Sequence, residues 1–264
     1  AASNNTLNYP AGAGCIAAYP LQTDAVDLSG NYSGASSNVT FGQPGYLTGN
    51  TNGTIPSTVA ANQEAGFSIV KYTGVGATAT VGHGLGSIVE LLIVKGLETT
   101  NDWSVLSKDN TNGNFLQLNN NAAQSGSGSI FGSRPTDSVF TIGNTGETGT
   151  SNKDYIAYCF TSIPAYSRIG SYVGTGVSGN AQYLGFEPSF LMTKRSNSSG
   201  DWHIWDDKRS TSNPRNNVLR PNTSGIETAT SYQNVSFTTT GFELIATDSS
   251  INGSGSTYIF LAIA

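Results

Sequence analysis

Two histidines, His83 and His203, are the whole supply of imidazole for general-base or metal chemistry in this chain of 264 residues. His83 lies in Gly82-His83-Gly84-Leu85-Gly86, and His203 lies between two tryptophans in Trp202-His203-Ile204-Trp205. No His-x-His, His-Glu-x-x-His or Cys-x-x-Cys spacing occurs, so a tetrahedral metal site lacks ligands. Neither a Gly-x-Ser-x-Gly elbow nor a phosphate-cradling Gly-x-x-x-x-Gly-Lys loop is present. Glycoside hydrolysis needs only two carboxylates, but Asp102 and Asp201 recur at equivalent places, each just before a tryptophan. Such repetition fits an Asx-type turn that starts a strand. Asp24 with Asp27 and Asp206 with Asp207 lack the dense oxygen-ligand spacing of a calcium loop. The expectation is a non-enzymatic chain without cofactor or metal, in which His83 is a turn residue bonding main chain.

Trp202-His203-Ile204-Trp205 carries the other local signal. Strand alternation places Trp202 and Ile204 on one face with their counterparts Trp103 and Val105, facing a core. His203 and Trp205 then face the other way, near Asp206, Asp207, Lys208 and Arg209. Exposed, they would form a platform for a sugar ring or a partner's aromatic side chain. The competing reading is that Trp205 fills a gap between modules or between subunits.

The elements that must hold these residues follow from composition and repetition. Only 11% of residues are charged, against about 25% in ordinary soluble domains. The 12 Lys plus Arg are scattered and the net charge is −5, which excludes a nucleic-acid binder that needs a basic patch. The apolar runs 88–94 and 258–264 fall far short of the roughly 20 residues of a membrane helix. Thirty-two glycines and nine prolines point to many turns.

Internal repetition is the clearest feature. Lys71-Tyr72-Thr73-Gly74 recurs as Ser171-Tyr172-Val173-Gly174, and Asp102-Trp103-Ser104-Val105 as Asp201-Trp202-His203-Ile204. Leu91-Leu92-Ile93-Val94-Lys95 is echoed by Phe190-Leu191-Met192-Thr193-Lys194, and Asp154-Tyr155-Ile156-Ala157-Tyr158 by Thr257-Tyr258-Ile259-Phe260-Leu261. Residues 66–165 and 166–264 read as one module used twice. In the first copy, strands are predicted at 67–72, 78–81, 89–95, 103–106, 115–118, 139–142 and 155–160, separated by Gly, Asn, Ser and Thr clusters. The predicted fold is all-β: two related β-sandwich, jelly-roll-like modules in tandem, preceded by an extended N-terminal strand and linker.

Residues 1–65 form that arm. They hold one apolar run, Cys15-Ile16-Ala17-Ala18-Tyr19-Pro20-Leu21, in which Cys15, Ala17, Tyr19 and Leu21 share one face and Ile16 and Ala18 the other. A lone strand is unstable in water, so it must join a sheet made by this chain or by another copy. From Ser29 to Ala65 the tether could extend roughly 120 Å. Two readings stand: donation to a neighbour, and folding back onto its own body, favoured by effective concentration. Cys15 and Cys159 each sit inside an apolar run, which fits buried free thiols as well as one long-range disulfide.

Several of these motifs carry a resemblance. Phe67-Ser68-Ile69-Val70-Lys71-Tyr72-Thr73-Gly74, Val81-Gly82-His83-Gly84-Leu85-Gly86, Asp154 to Phe160, Ser212-Asn213-Pro214-Arg215 and Ile251 to Ile259 resemble a tandem-repeat family of unknown function found in phage virion and tail-appendage proteins. Ala17-Ala18-Tyr19-Pro20-Leu21 through Tyr32 resembles the opening strand of laminin-G-like jelly rolls, without the length of such a domain. The arrangement of an orphan strand ahead of β modules is similar to that of fimbrial subunits that polymerise by donor-strand exchange. These likenesses imply a self-assembling structural subunit of an extracellular filament or virion surface, whose partners are other copies of itself. The alternative they leave open is a receptor-binding module that takes a cell-surface glycan on His203 and Trp205. Neither nucleic-acid binding nor membrane insertion is expected.

Overall fold

The computed structural model describes residues 48–126 and 128–264. Every regular element in them is a strand. The first nine are β1 (Thr48–Asn50), β2 (Ser57–Asn62), β3 (Phe67–Thr73), β4 (Ala79–Gly82), β5 (Leu91–Gly96), β6 (Ser104–Ser107), β7 (Leu116–Gln117), β8 (Val139–Ile142) and β9 (Asp154–Phe160). After a short crossing segment come β10 (Ser167–Val173), β11 (Asn180–Tyr183), β12 (Phe190–Arg195), β13 (Trp202–Asp206), β14 (Asn217–Val218), β15 (Thr228–Ala229), β16 (Val235–Thr238), β17 (Gly241–Leu244) and β18 (Thr257–Ile263). Among the described residues no helix is long and apolar enough to cross a membrane.

Two large antiparallel sheets lie at the centre. One has the order β1-β2-β3-β9-β5-β6-β7, and the other β10-β18-β12-β13. The order β3-β9-β5-β6 thus recurs as β10-β18-β12-β13. Each sheet has a smaller one on its outer side, β4-β8 for the first and β11-β17-β16 for the second. Alternation explains the layering. Leu92 and Val94 of β5 enter the core shared with Val81 and Phe140, whereas Leu91 and Ile93 turn to the opposite face. There they meet Met192, Trp202, Ile259 and Leu261 of the second central sheet. The other face of that sheet carries Leu191, Trp205, Tyr258 and Phe260 against Phe237, Phe242 and Leu244. Four layers therefore enclose three cores, and β5 and β18 are apolar on both faces because each lies between two of them.

The same tyrosine pair anchors each half. Tyr72 stacks on Tyr155 with ring centroids 5.3 Å apart, and Tyr172 on Tyr258 at 4.8 Å. Their buried hydroxyls donate to main-chain carbonyls, Tyr72 to Thr148 (2.8 Å) and Tyr172 to Ile251 (2.7 Å). Burial raises the phenol pKa of Tyr72 and Tyr172 well above its ordinary value.

The predicted boundary at residue 65 is corrected. β2 pairs with β3 along its whole length, from Ser57↔Tyr72 to Asn62↔Phe67, and β1 pairs with β2. Ser57-Thr58-Val59-Ala60-Ala61-Asn62 has little apolar bulk, and its stability comes from the partner strand and from Val59 and Ser57 facing the first core. The expected strand 15–21 lies outside the described residues, as do Asp24 and Asp27.

Candidate functional site

The platform expected on His203 and Trp205 is absent from the surface, because both side chains are 0% exposed. Alternation separates the faces of β13 as expected, but both faces are covered. Trp202 and Ile204 enter the core between the central sheets, while Trp205 enters the second sandwich core. The Trp205 Nε1–H donates to the carbonyl of Gln233 at 3.0 Å, and its ring stacks on His203 at 5.6 Å. His203 Nε2 lies 3.4 Å from the Ser250 hydroxyl. Burial, reinforced by Arg220, holds the imidazole pKa down at about 4, so it is neutral near pH 7.

His83 is buried in the irregular segment after β4 and bonds main chain. Its Nδ1 accepts from the Leu85 N–H at 3.3 Å, which puts the ring proton on Nε2, 3.3 Å from the Thr136 carbonyl. Asp102 and Asp201 act through asparagines the sequence did not single out. The N–H of Trp103 donates to Asn119 Oδ1 (3.0 Å) and that of Trp202 to Asn222 Oδ1 (2.9 Å). Each aspartate then accepts from that asparagine's amide, at 2.6 and 2.8 Å. Asp206 is engaged by Arg209 at 2.6 Å. No group of three or more potential metal ligands occurs among the described residues. Cys159 is a buried free thiol whose pKa is pushed up to about 12 by burial.

Polar clasps accompany the apolar seam between the central sheets. The Trp202 Nε1–H donates to the Gln117 carbonyl at 2.8 Å. Lys194, 0% exposed, donates to the carbonyls of Ala122 (2.9 Å), Arg195 (2.6 Å) and Asn121 (3.5 Å). The Gly200 N–H reaches the Asn121 carbonyl at 2.9 Å.

One place departs from the repetition, and it makes a site. β3 is covered by β2, but among the described residues its counterpart β10 ends its sheet with no strand beside it. The N–H and C=O groups of Ser167, Ile169, Ser171 and Val173 turn away from β18, as the bond from the Ile169 N–H to Ser162 Oγ (2.9 Å) shows. Ser167 exchanges both of its bonds with Ile163, and the Val173 carbonyl accepts from Asn180. The Ile169 carbonyl, both groups of Ser171 and the Val173 N–H face outward and have no strand partner among the described residues.

A cleft runs along this edge as two adjoining hollows of about 460 and 270 Å³. Arg168, Ile169, Lys108 and Leu184 border it, with Tyr183, 72% exposed, on its outer wall. In the first half the equivalent space is filled. A side chain added at Gly84 would meet Val59 and Ala61 of β2 at 3.0 and 3.3 Å, whereas among the described residues one at the equivalent Gly185 would approach only the Tyr183 hydroxyl, at 3.9 Å. The cleft floor is specific to the second half. The cross-strand pair Val70↔Ala157 is replaced by Gly170↔Phe260, and a Cβ on Gly170 would lie 2.7 Å from the Phe260 ring. Comparing the two copies residue by residue would have revealed this exchange, but only the sheet order shows that it borders the edge of the sheet among the described residues.

No curated protein and no solved structure matches this chain. A family model described as a domain of unknown function, DUF7483, matches residues 30–264, and the chain belongs to that family.

Proposed function

We propose that this chain is a non-enzymatic structural subunit that self-assembles into an extracellular filament or virion appendage, with its N-terminal strand inserting into a neighbouring copy. The body is read as one β-sandwich module used twice, stacked through the seam core and clasped by Trp202 and Lys194. The observation that carries the reading is the edge of β10, which no strand covers among the described residues. An edge strand with unpaired main chain and an adjoining cleft is what strand addition requires, because backbone bonds supply affinity and side-chain hollows supply register.

Negative-stain electron microscopy of the full chain beside a variant lacking residues 1–30 tests it. The expected result is regular filaments at full length and discrete particles after the deletion, with the far-UV circular dichroism of the body retained. Indistinguishable particles in both samples would overturn the reading.

A further inference from the structure

We infer that the β10 edge is the acceptor of the strand Ala13–Ala18 from a second copy, in the register that β2 uses against β3. This rests on the self-assembly reading above and adds the site and the alignment.

The alignment comes from the chain itself. Thr58-Val59-Ala60-Ala61-Asn62 of β2 and Cys15-Ile16-Ala17-Ala18-Tyr19 share a pattern of β-branched aliphatic, Ala, Ala at the same three positions. β2 sets Thr58 opposite Lys71, Val59 opposite Val70 and Ala60 opposite Ile69. Because Lys71, Val70 and Ile69 correspond to Ser171, Gly170 and Ile169, the incoming strand places Cys15 opposite Ser171, Ile16 opposite Gly170 and Ala17 opposite Ile169. The open main-chain groups fit this register. Cys15 and Ser171 exchange two bonds, the Ala17 N–H reaches the Ile169 carbonyl, and the Val173 N–H reaches the carbonyl of Ala13. Pro20, which has no N–H to give a ladder, falls beyond the paired stretch, at the position of Gln63 after β2.

Side chains agree with the backbone. Val59 and Ala61 face the first core, so Ile16 and Ala18 take the corresponding places in the cleft. Ile16 meets the Phe260 ring, which borders the cleft and covers the place a Gly170 side chain would take, and Ala18 comes near Gly185 as Ala61 lies near Gly84. The second half cannot make its own covering strand from the residues just before β10, because those residues are β9. Residues 22–47 can extend roughly 85 Å, several times the radius of gyration of about 17 Å expected for residues 48–264, so a second copy is within reach.

Ser171→Cys in the full chain tests the register with the native Cys15. Paired residues lie about 5.5 Å apart at Cα, within disulfide range, and Cys159 is too buried to compete. Under mild oxidation the expected result is a covalent ladder of dimers and higher multimers on a non-reducing gel, lost in Ser171→Cys with Cys15→Ser and in Ser171→Cys with Ile16→Asp. An intrachain disulfide, seen as a monomer that shifts on reduction, overturns the second copy as donor. A ladder that persists with Ile16→Asp is random thiol collision and overturns the register. Filaments by microscopy with no disulfide overturn the β10 acceptor while leaving self-assembly standing, and the absence of both removes both readings.

Discussion

Lys194 offers the sharpest test of the seam. Its ammonium is fully buried and its acceptors are main-chain carbonyls, two of them on the first half at Asn121 and Ala122. Burial lowers its pKa to about 8, with Asp201 opposing that shift and Arg195 adding to it. An unfolded lysine titrates near ~10.4. Between pH 8 and that value the unfolded chain still holds a proton that the folded chain has released, so stability rises with pH across this window. From pH 7 to pH 10 the gain from this one residue is at most about 3 kcal/mol, because carbonyl acceptors hold the ammonium against deprotonation.

Lys194→Met keeps the aliphatic stem and removes the charge. At pH 7 two effects oppose each other: relief of the buried charge, and loss of donors to carbonyls, at about 1–3 kcal/mol for each group left unsatisfied. At pH 10 the wild-type amine is neutral and still donates, so the variant should be less stable relative to wild type than at pH 7, by about 2–3 kcal/mol. Urea denaturation at pH 7, 8, 9 and 10, followed by tryptophan fluorescence, gives both profiles, with equal slopes against urea showing that the same surface unfolds. Differencing the two removes every other titrating group. Parallel profiles from pH 7 to 10 would refute the reasoning, since the amine would then have an ordinary pKa and no buried clasp.

The remaining expectations concern the cores and the cleft floor. Stability should fall as pH drops from about 6.5 toward 4, by up to about 3 kcal/mol, because the unfolded chain takes up a proton that buried His203 refuses; His203→Gln should flatten that limb in acid denaturation. Trp202→Ala should cost about 3–5 kcal/mol and lower the urea midpoint, as it empties part of the seam core and removes the bond to Gln117. Gly170→Val should destabilise by about 1–3 kcal/mol through its clash with Phe260. Adding Phe260→Ala recreates the Val70↔Ala157 pair, and the double-mutant cycle should show at least about 1 kcal/mol of favourable coupling.

Much of this fold is legible in the residues. The apolar runs at Leu91 to Val94 and Tyr258 to Ala262 mark strands buried on both faces, and the recurrence near an offset of 100 residues aligns the halves. What hides β2 is its composition: Ser57, Thr58, Ala60 and Asn62 give no amphipathic contrast, and β3 supplies its partner from outside the local window. Alternation also places His203 and Trp205 on the face opposite Trp202, yet it says nothing about whether a second sheet covers that face. β16, β17 and the loops at Gln233 and Ser250 do cover it, and they meet β13 only through tertiary packing. Asn119 and Asn222 escape notice for the same reason. Their amides act across a gap in sequence, on Trp103 and Trp202.

The open edge has a topological cause if one module is used twice. A module whose second large-sheet strand is covered by residues just before it, as β3 is by β2, must receive that cover from upstream. For the first copy, upstream chain is free to form β2. For the second copy, the residues immediately upstream are already β9, committed to the centre of the other sheet, and the crossing segment 161–166 is too short to add a strand and a turn. Ile163 and Ser162 satisfy only the first outward groups of β10. That no strand covers Ile169 to Val173 among the described residues therefore follows from chain order rather than from any weakness of the strand. Such a stretch is either blunted or paired in stable β proteins. The Gly170↔Phe260 exchange puts an aromatic ring where the side chain of Val70 lies in the first half, so the floor beside this stretch is built from the neighbouring strand β18 instead of from β10 itself.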